Sequence, residues 1–136
     1  MKKISQPAGR QGFTLIELLV VIAIIGVLIS ISVFSLSDSR KTGRDGRRKA
    51  DLELIRSGVE LYKADCNSYP LSLGTQLKGS GTPSSCSVNN IYINTVPKDP
   101  LDPTRTYTYS SDGVTYTLCA SLEKVTGTCN YTVTNP

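Results

Sequence analysis

The chain has 136 residues, of which 39% are hydrophobic, a formal net charge of +4 and no histidine. This length accommodates one small domain beside a membrane segment, and without histidine the chain lacks the commonest general base and metal ligand. It also lacks the nucleophile elbow, the glycine-rich phosphate loop and the zinc-protease helix motif, so we expect a protein that is not an enzyme and holds no metal or cofactor.

The first twelve residues form a short basic leader. They contain Lys2, Lys3 and Arg10 but no acidic residue, a bias that keeps a segment on the cytoplasmic side of a membrane. The leader lacks the apolar core and the small-residue cleavage site of an ordinary secretory signal.

An uncharged segment follows from Leu18 to Leu36. A helix that crosses a bilayer needs about 20 such residues. Glu17 lies just inside the start of the apolar run, where a carboxylate costs roughly 2.5–3.5 kcal/mol unless it is near the interface or paired. A plain signal anchor would explain the leader and the span, but it gives no reason for Glu17.

The residues from Gly12 to Leu18, Gly-Phe-Thr-Leu-Ile-Glu-Leu, resemble the processing site of type IV pilins and of the pilin-like subunits of type II secretion systems. The resemblance implies that a prepilin peptidase cuts after Gly12 and that Phe13, the new N-terminus, is N-methylated. It also implies that Glu17 guides assembly. We expect Glu17 to meet the Phe13 amine of a neighbouring subunit, because either charge alone would be costly in hydrocarbon.

The helical pattern continues beyond the span. Apolar residues recur at spacings of three and four, a pattern typical of an amphipathic helix; they are Leu52, Ile55, Val59 and Tyr62, with Leu54 and Leu61 alongside. No proline occurs between Pro7 and Pro70. We therefore expect one nearly continuous helix from about residue 13 to residue 64.

A basic cluster lies in the first part of this outer helix and includes Arg44, Arg47, Arg48 and Lys49. The simpler interpretation is a solvated face next to the membrane, balanced by anionic headgroups before assembly. The alternative is contact with DNA or another anionic surface.

Four cysteines, Cys66, Cys86, Cys119 and Cys129, all lie beyond the span. An even number in a domain outside the membrane favours disulfides. Of the three possible pairings we favour Cys66–Cys86 with Cys119–Cys129, because each of these bonds closes a local loop. A zinc site is the weaker alternative, since no CxxC motif or histidine accompanies the cysteines.

The remaining chain is typical of short strands and turns. Residues 90–96 favour a strand, and the Asp-Pro pairs at 99–100 and 102–103 favour turns, with a loop cation at Asp99 and Asp102 as the weaker alternative. Asp112-Gly113 favours a hairpin that leads into a strand over residues 114–122, and residues 127–133 add an edge strand. One face of the 114–122 strand is apolar and should cover Leu54, Ile55, Val59 and Tyr62; its residues are Val114, Tyr116, Leu118, Ala120 and Leu122.

The second half is similar to the globular domain of the major pseudopilins and of short bacterial pilins, in its Asp-Pro segment, its Tyr107-x-Tyr109 pair and its hairpin. In those pseudopilins a loop near the C-terminus gathers acidic residues around calcium. Here Glu123 is the one acidic residue after Asp112, so no calcium site is expected. This difference favours a pilus over a secretion fibre.

The expected fold is α+β, a pilin fold whose long N-terminal helix packs its outer half on a small antiparallel sheet. We expect a leader over residues 1–12, a membrane-spanning or filament-core helix over 13–36, its amphipathic continuation over 37–65 and a disulfide-stapled β-rich domain over 66–136. Asn130-Tyr131-Thr132 also fits the N-glycosylation pattern, although so short a triplet occurs by chance.

The expected function is that of a structural subunit of a type IV pilus-like surface filament, held in the cytoplasmic membrane before it polymerises. Its expected partners are other copies of itself, the prepilin peptidase and an inner-membrane assembly platform. The alternatives are the major pseudopilin of a type II secretion system and a minor pilin for DNA uptake or adhesion.

Overall fold

The computed structural model of the protein describes residues 12–136, apart from the side chains of Phe34 and Ser35. Leader residues 1–11, with the basic residues Lys2, Lys3 and Arg10, lie outside the described residues. The chain divides into two compact units, Met1–Asp38 and Ser39–Pro136. The described elements, in chain order, are α1 (Leu15–Cys66), β1 (Leu77–Lys78), β2 (Ile91–Ile93), β3 (Thr108–Ser111), β4 (Tyr116–Ala120) and β5 (Tyr131–Thr134).

Helix α1 is continuous over 52 residues, which confirms the single helix predicted from the absence of proline. It ends where Asn67 takes the left-handed conformation, with φ of 60°. The Asn67 N–H donates to the Lys63 carbonyl at 2.9 Å, and the Lys63 ammonium donates to the Asn67 carbonyl at 3.1 Å. A left-handed residue directly after the last helical one is a common way to close a helix.

The strands form two small antiparallel sheets. β1 pairs with β2, and the other sheet has the order β3-β4-β5. The β3–β4 hairpin turns at Asp112 and Gly113, as the sequence predicts. The Asp112 carboxylate accepts the N–H groups of Val114 and Thr115 at 2.8 and 2.6 Å, and Gly113 has a positive φ of 86°, a conformation that glycine adopts at little cost.

The core combines one face of α1 with residues from all of the strands except β3. The helix contributes Leu52, Ile55, Val59, Tyr62 and Cys66, and the strands contribute Leu77, Ile93, Tyr116, Leu118, Ala120 and Val133. Gly58 allows close approach of β2, because a Cβ at this position would overlap the Ile93 side chain. The α+β fold is therefore confirmed.

Two residues that we expected on the packed faces of the helix and of the 114–122 strand are exposed instead. Leu54 is 50% exposed, and Val114 is 71% exposed. Leu54 lies one position away from Ile55 on the helix and therefore faces outward at the flank of the apolar stripe. Val114 lies in the hairpin turn, because β4 begins only at Tyr116.

Two disulfides tie the loops to these elements. Cys66, the last residue of α1, is bonded to Cys86 with a Cα–Cα distance of 4.7 Å. Cys119 in β4 is bonded to Cys129 at 5.2 Å.

Candidate assembly site

The apolar part of α1 is exposed on all sides. Every described side chain from residue 12 to residue 40 is exposed, and the segment is long and apolar enough to cross a membrane. A helix that is hydrophobic all round is stable only when it is surrounded by lipid or by other protein. This segment therefore needs an apolar environment that the isolated chain does not supply.

Two described serine hydroxyls within this segment are satisfied by the helix itself. Ser30 Oγ donates to the Gly26 carbonyl at 2.8 Å, and Ser32 Oγ donates to the Leu28 carbonyl at 2.9 Å. Both bonds run one turn back along the helix, a frequent arrangement for serine in helices. These two hydroxyls therefore do not interrupt the apolar exterior of the segment.

Glu17 and Thr14 cap the start of α1 reciprocally. The Glu17 carboxylate accepts the backbone N–H of Thr14 at 2.9 Å and its hydroxyl at 2.7 Å, while the Glu17 N–H donates to Thr14 Oγ1 at 3.3 Å. This is a capping box, which satisfies N–H groups that a helix start otherwise leaves unpaired. Gly12 and Phe13 lie just before it, and Phe13 is exposed. Cleavage after Gly12, methylation of Phe13 and the pairing of Glu17 between subunits stay predictions.

Arg48 is the centre of a buried ionic cluster in the second unit. Its guanidinium donates to both oxygens of Asp99, from Nε at 2.7 Å and from Nη2 at 3.0 Å. Its Nη1 donates to Asp45 at 2.7 Å and to Glu123 at 2.9 Å. The Arg48 side chain is fully buried. These hydrogen bonds, those to Asp99 first, raise the pKa of Arg48 above its ordinary value, so the group stays charged.

Arg44 completes the cluster from one turn earlier on α1. Its Nε and Nη2 each donate to an oxygen of Glu123 at 2.6 Å. Hydrogen bonds from Arg44, and then from Arg48, lower the pKa of Glu123 to about 2. Burial would raise the pKa of Asp99, but the hydrogen bonds from Arg48 outweigh it and lower that pKa. The cluster therefore holds three ionised carboxylates against two guanidinium groups and fastens two loops to α1.

This cluster corrects the expectation of a basic surface patch. Arg48 is buried, so it cannot contact DNA or headgroups, and the Arg44 guanidinium is bound to Glu123. Arg47 remains 67% exposed, and Lys49 lies over the Tyr131 ring, 5.4 Å from its centroid. Two of the four predicted contact residues are therefore structural.

Asp99 was expected as a turn residue, and its ionic role was missed. Its carboxylate does accept the Leu101 N–H at 2.8 Å, as a turn residue would, but the same group binds Arg48. The neighbouring Asp102 lies 3.7 Å from the Lys98 ammonium. The two aspartates therefore differ in role, and within residues 12–136 no group of three His, Cys, Asp or Glu side chains could hold a metal ion.

Carboxylates of α1 also accept hydrogen bonds from tyrosines of the β-rich part. Glu60 accepts from both Tyr69 and Tyr116 at 3.1 Å, and Asp51 accepts from Tyr107 at 2.8 Å. These tyrosines pack their rings in or against the core and direct their hydroxyls to its rim, an arrangement typical of tyrosine, whose ring is apolar and whose hydroxyl needs a partner.

Two family models match the chain. The prokaryotic N-terminal methylation motif matches residues 7–33, and type II secretion system (T2SS), protein G, matches residues 35–123. No solved structure gives a significant match.

Among curated proteins, the type II secretion system core protein G of Dickeya chrysanthemi is 33% identical over 96 residues, which are 67% of this chain and 63% of the relative. The core protein G of Aeromonas hydrophila is 30% identical over 101 residues, 70% of each chain. That of Vibrio cholerae is 30% identical over 118 residues, 83% of this chain and 77% of the relative. The matches to the Dickeya and Pectobacterium proteins span 63% and 62% of those relatives, less than two thirds.

Proposed function

This chain belongs to the protein G family of type II secretion systems, pseudopilins of the type IV pilin family, and we propose that it is the major pseudopilin of such a system. In this role it is a structural subunit that polymerises with its own copies. The fibre would start at the inner membrane and extend into the periplasm, where it would act as a secretion piston.

The observation that carries this proposal is the fully exposed apolar segment at the start of α1. Its burial among identical helices would remove a large apolar surface from water, at roughly 25 cal/mol per Å². Before assembly the same surface would lie in the inner membrane. The domain from Ser39 onward has its own buried core and would form the outer layer of the fibre.

We further propose that the prepilin peptidase removes residues 1–12 and that Phe13 is N-methylated. The match of residues 7–33 to the N-terminal methylation motif supports this processing. Cleavage places a new amine four residues before Glu17. The carboxylate that caps α1 in one subunit would then also be the partner of the amine on the next.

The secretion role replaces the surface pilus that we first expected from the sequence. That expectation was favoured by the scarcity of acidic residues after Asp112, where Glu123 is the one that occurs. The names of the relatives favour secretion instead, and the loss of Arg48 from the surface patch weakens the DNA-uptake alternative. Adhesion has no observation in its favour among the described residues.

Complementation of a secretion-deficient strain tests the proposal. The full chain, expressed in a host that lacks its own protein G but keeps the rest of the system, should restore release of the secreted enzyme into the medium. Mass spectrometry should show loss of residues 1–12 and one added methyl group. Electron microscopy after overexpression should show fibres. A processed chain that forms surface pili and restores no secretion would overturn the proposal.

A further inference from the structure

Residues 121–130, the loop between β4 and β5, contain oxygen atoms of the two kinds that calcium binds, carboxylate and carbonyl. The loop lies in the region where the related pseudopilins are expected to hold calcium. Calcium takes roughly six to eight oxygen ligands at about 2.3–2.6 Å. Whether this loop fits such an ion depends on what its oxygens already accept.

The carboxylates at the loop are occupied by guanidinium groups. Glu123 is the loop's one acidic residue, and each of its oxygens accepts a hydrogen bond from Arg44 at 2.6 Å. One of those oxygens also accepts from Arg48. A calcium ion would have to displace these donors and would be repelled by both positive charges.

Asp45 holds the loop backbone directly from α1. Its Oδ1 accepts the Glu123 N–H at 2.9 Å and its Oδ2 accepts the Lys124 N–H at 3.2 Å. Arg48 donates to the same carboxylate. Both oxygens of Asp45 therefore face N–H donors.

The carbonyl groups of the loop converge on a side-chain amide. Asn130 Nδ2 donates to the carbonyls of Leu122, Val125 and Gly127 at 3.1, 2.7 and 3.0 Å. Its Oδ1 accepts the Leu122 N–H at 2.7 Å. Three carbonyl oxygens around one atom resemble part of the coordination shell of a cation. Here, however, the central atom is the nitrogen of a neutral amide, which donates hydrogen bonds. The same bonds engage the amide of the predicted glycosylation triplet.

We propose that Arg44, Arg48 and Asn130 take the place of a divalent cation in fixing residues 121–130, so that the folded domain needs no calcium. The residues present do not fit a calcium ion, because their oxygens already accept hydrogen bonds from nitrogen. Two guanidinium groups oppose three carboxylates, and the N–H groups of Leu101, Glu123 and Lys124 stabilise the remaining negative charge. The inference goes beyond the proposed function and does not depend on assembly.

Measurements on the full-length chain in detergent micelles, with excess EGTA or with millimolar calcium chloride, test this inference. The thermal midpoint and the hydrogen-exchange protection of the Glu123 and Lys124 amides should be the same in both buffers. A higher midpoint, or slower exchange of these two amides, in calcium would overturn the inference. Because this comparison uses the unaltered chain and no fibre, its outcome is separate from that of the secretion assay.

Substitution of the arginines tests the second part of the inference, that their guanidinium groups fix the loop. Arg48→Met should speed exchange of both amides by at least about tenfold, since it removes the charged hydrogen-bond donor that holds the Asp45 and Glu123 carboxylates in place. Arg44→Met, at a partly exposed position, serves if Arg48→Met does not fold. Arg47→Met, at the adjacent exposed position, is the matched control and should leave exchange unchanged. Unchanged exchange in both Arg44→Met and Arg48→Met would refute the role of the arginines.

Discussion

Arg48 and Asp99 form a bidentate ion pair across 51 positions of sequence, with Nε–Oδ2 at 2.7 Å and Nη2–Oδ1 at 3.0 Å, and neither side chain is exposed to solvent. Removal of one partner of such a pair leaves a buried charge uncompensated, which costs more than the pair itself contributes. The loop that carries Asp99 therefore depends on a residue of α1.

Asp99→Ala should lower the free energy of unfolding by about 3–5 kcal/mol, because the Arg48 guanidinium would remain buried without its main partner. Urea unfolding of the full chain in detergent measures this loss. Asp102→Ala is the matched control, since Asp102 also precedes a proline but makes only an exposed ion pair at 3.7 Å. It should change stability by no more than about 1 kcal/mol. Equal losses in the two variants would contradict the assigned roles.

The ionic cluster should make the fold sensitive to acid. Glu123 has a folded pKa of about 2 against an ordinary value of 4.5, because of its hydrogen bonds from Arg44 and Arg48. A depressed carboxylate pKa contributes stability above the ordinary value, and that contribution is lost as the pH falls towards the folded value. Thermal midpoints should therefore fall between about pH 4.5 and pH 2. The thermal midpoint of Glu123→Gln should fall less steeply over this range. A wild-type midpoint that does not change with pH would rule out this linkage.

Gly58→Ala should destabilise the domain by about 1–3 kcal/mol, because the new methyl group would overlap the Ile93 side chain of β2 and force repacking. Gly46→Ala, also within α1, is the control, and its change in stability should have the opposite sign. Its new Cβ meets no atom within 4 Å, so the variant should be more stable by about 0.5–1 kcal/mol through helix propensity. Thermal unfolding of both variants measures these changes in stability. A Gly58→Ala domain as stable as the wild type would show that β2 can shift freely.

Glu17→Gln should separate the capping role of Glu17 from its proposed charge role between subunits. Glutamine can take the same position in a capping box, but it cannot pair as an anion with a neighbour's amine. We expect Glu17→Gln to retain the helix start and the processing while fibre yield falls at least about tenfold, as for a lost pair worth about 1.4 kcal/mol or more. Fibre counts by electron microscopy and N-terminal mass spectrometry measure the two effects. Normal fibres from Glu17→Gln, with few from Glu17→Ala, would assign Glu17 to capping alone.

The helix and the hairpin could be predicted because their signals are local. Helix α1 follows from a proline-free stretch with a repeating apolar face, and the β3–β4 turn follows from Asp112-Gly113. Leu54 was misassigned because a wide apolar stripe does not mark which flank is covered. Val114 was misassigned because alternation continues from the strand into the turn.

The ionic cluster could not be predicted because its partners are distant in sequence. Arg48 belongs to a run of basic residues that looks like a solvated face, and its burial depends on Asp99 and Glu123, which lie 51 and 75 positions away. One local signal was available, since Asp45 lies three positions before Arg48 on the same helix. The Thr14-x-x-Glu17 pair was a second local signal, because a threonine followed three residues later by glutamate before an apolar run is typical of a capping box.

The serine bonds within the apolar segment have a consequence for the passage of a subunit from lipid into a fibre. Because Ser30 and Ser32 bind carbonyls of their own helix, neither hydroxyl has to exchange partners during extraction. Among the described side chains of the segment, the polar rearrangement would then be confined to the first helical turn around Glu17, and that end of the segment would set the barrier to extraction from lipid.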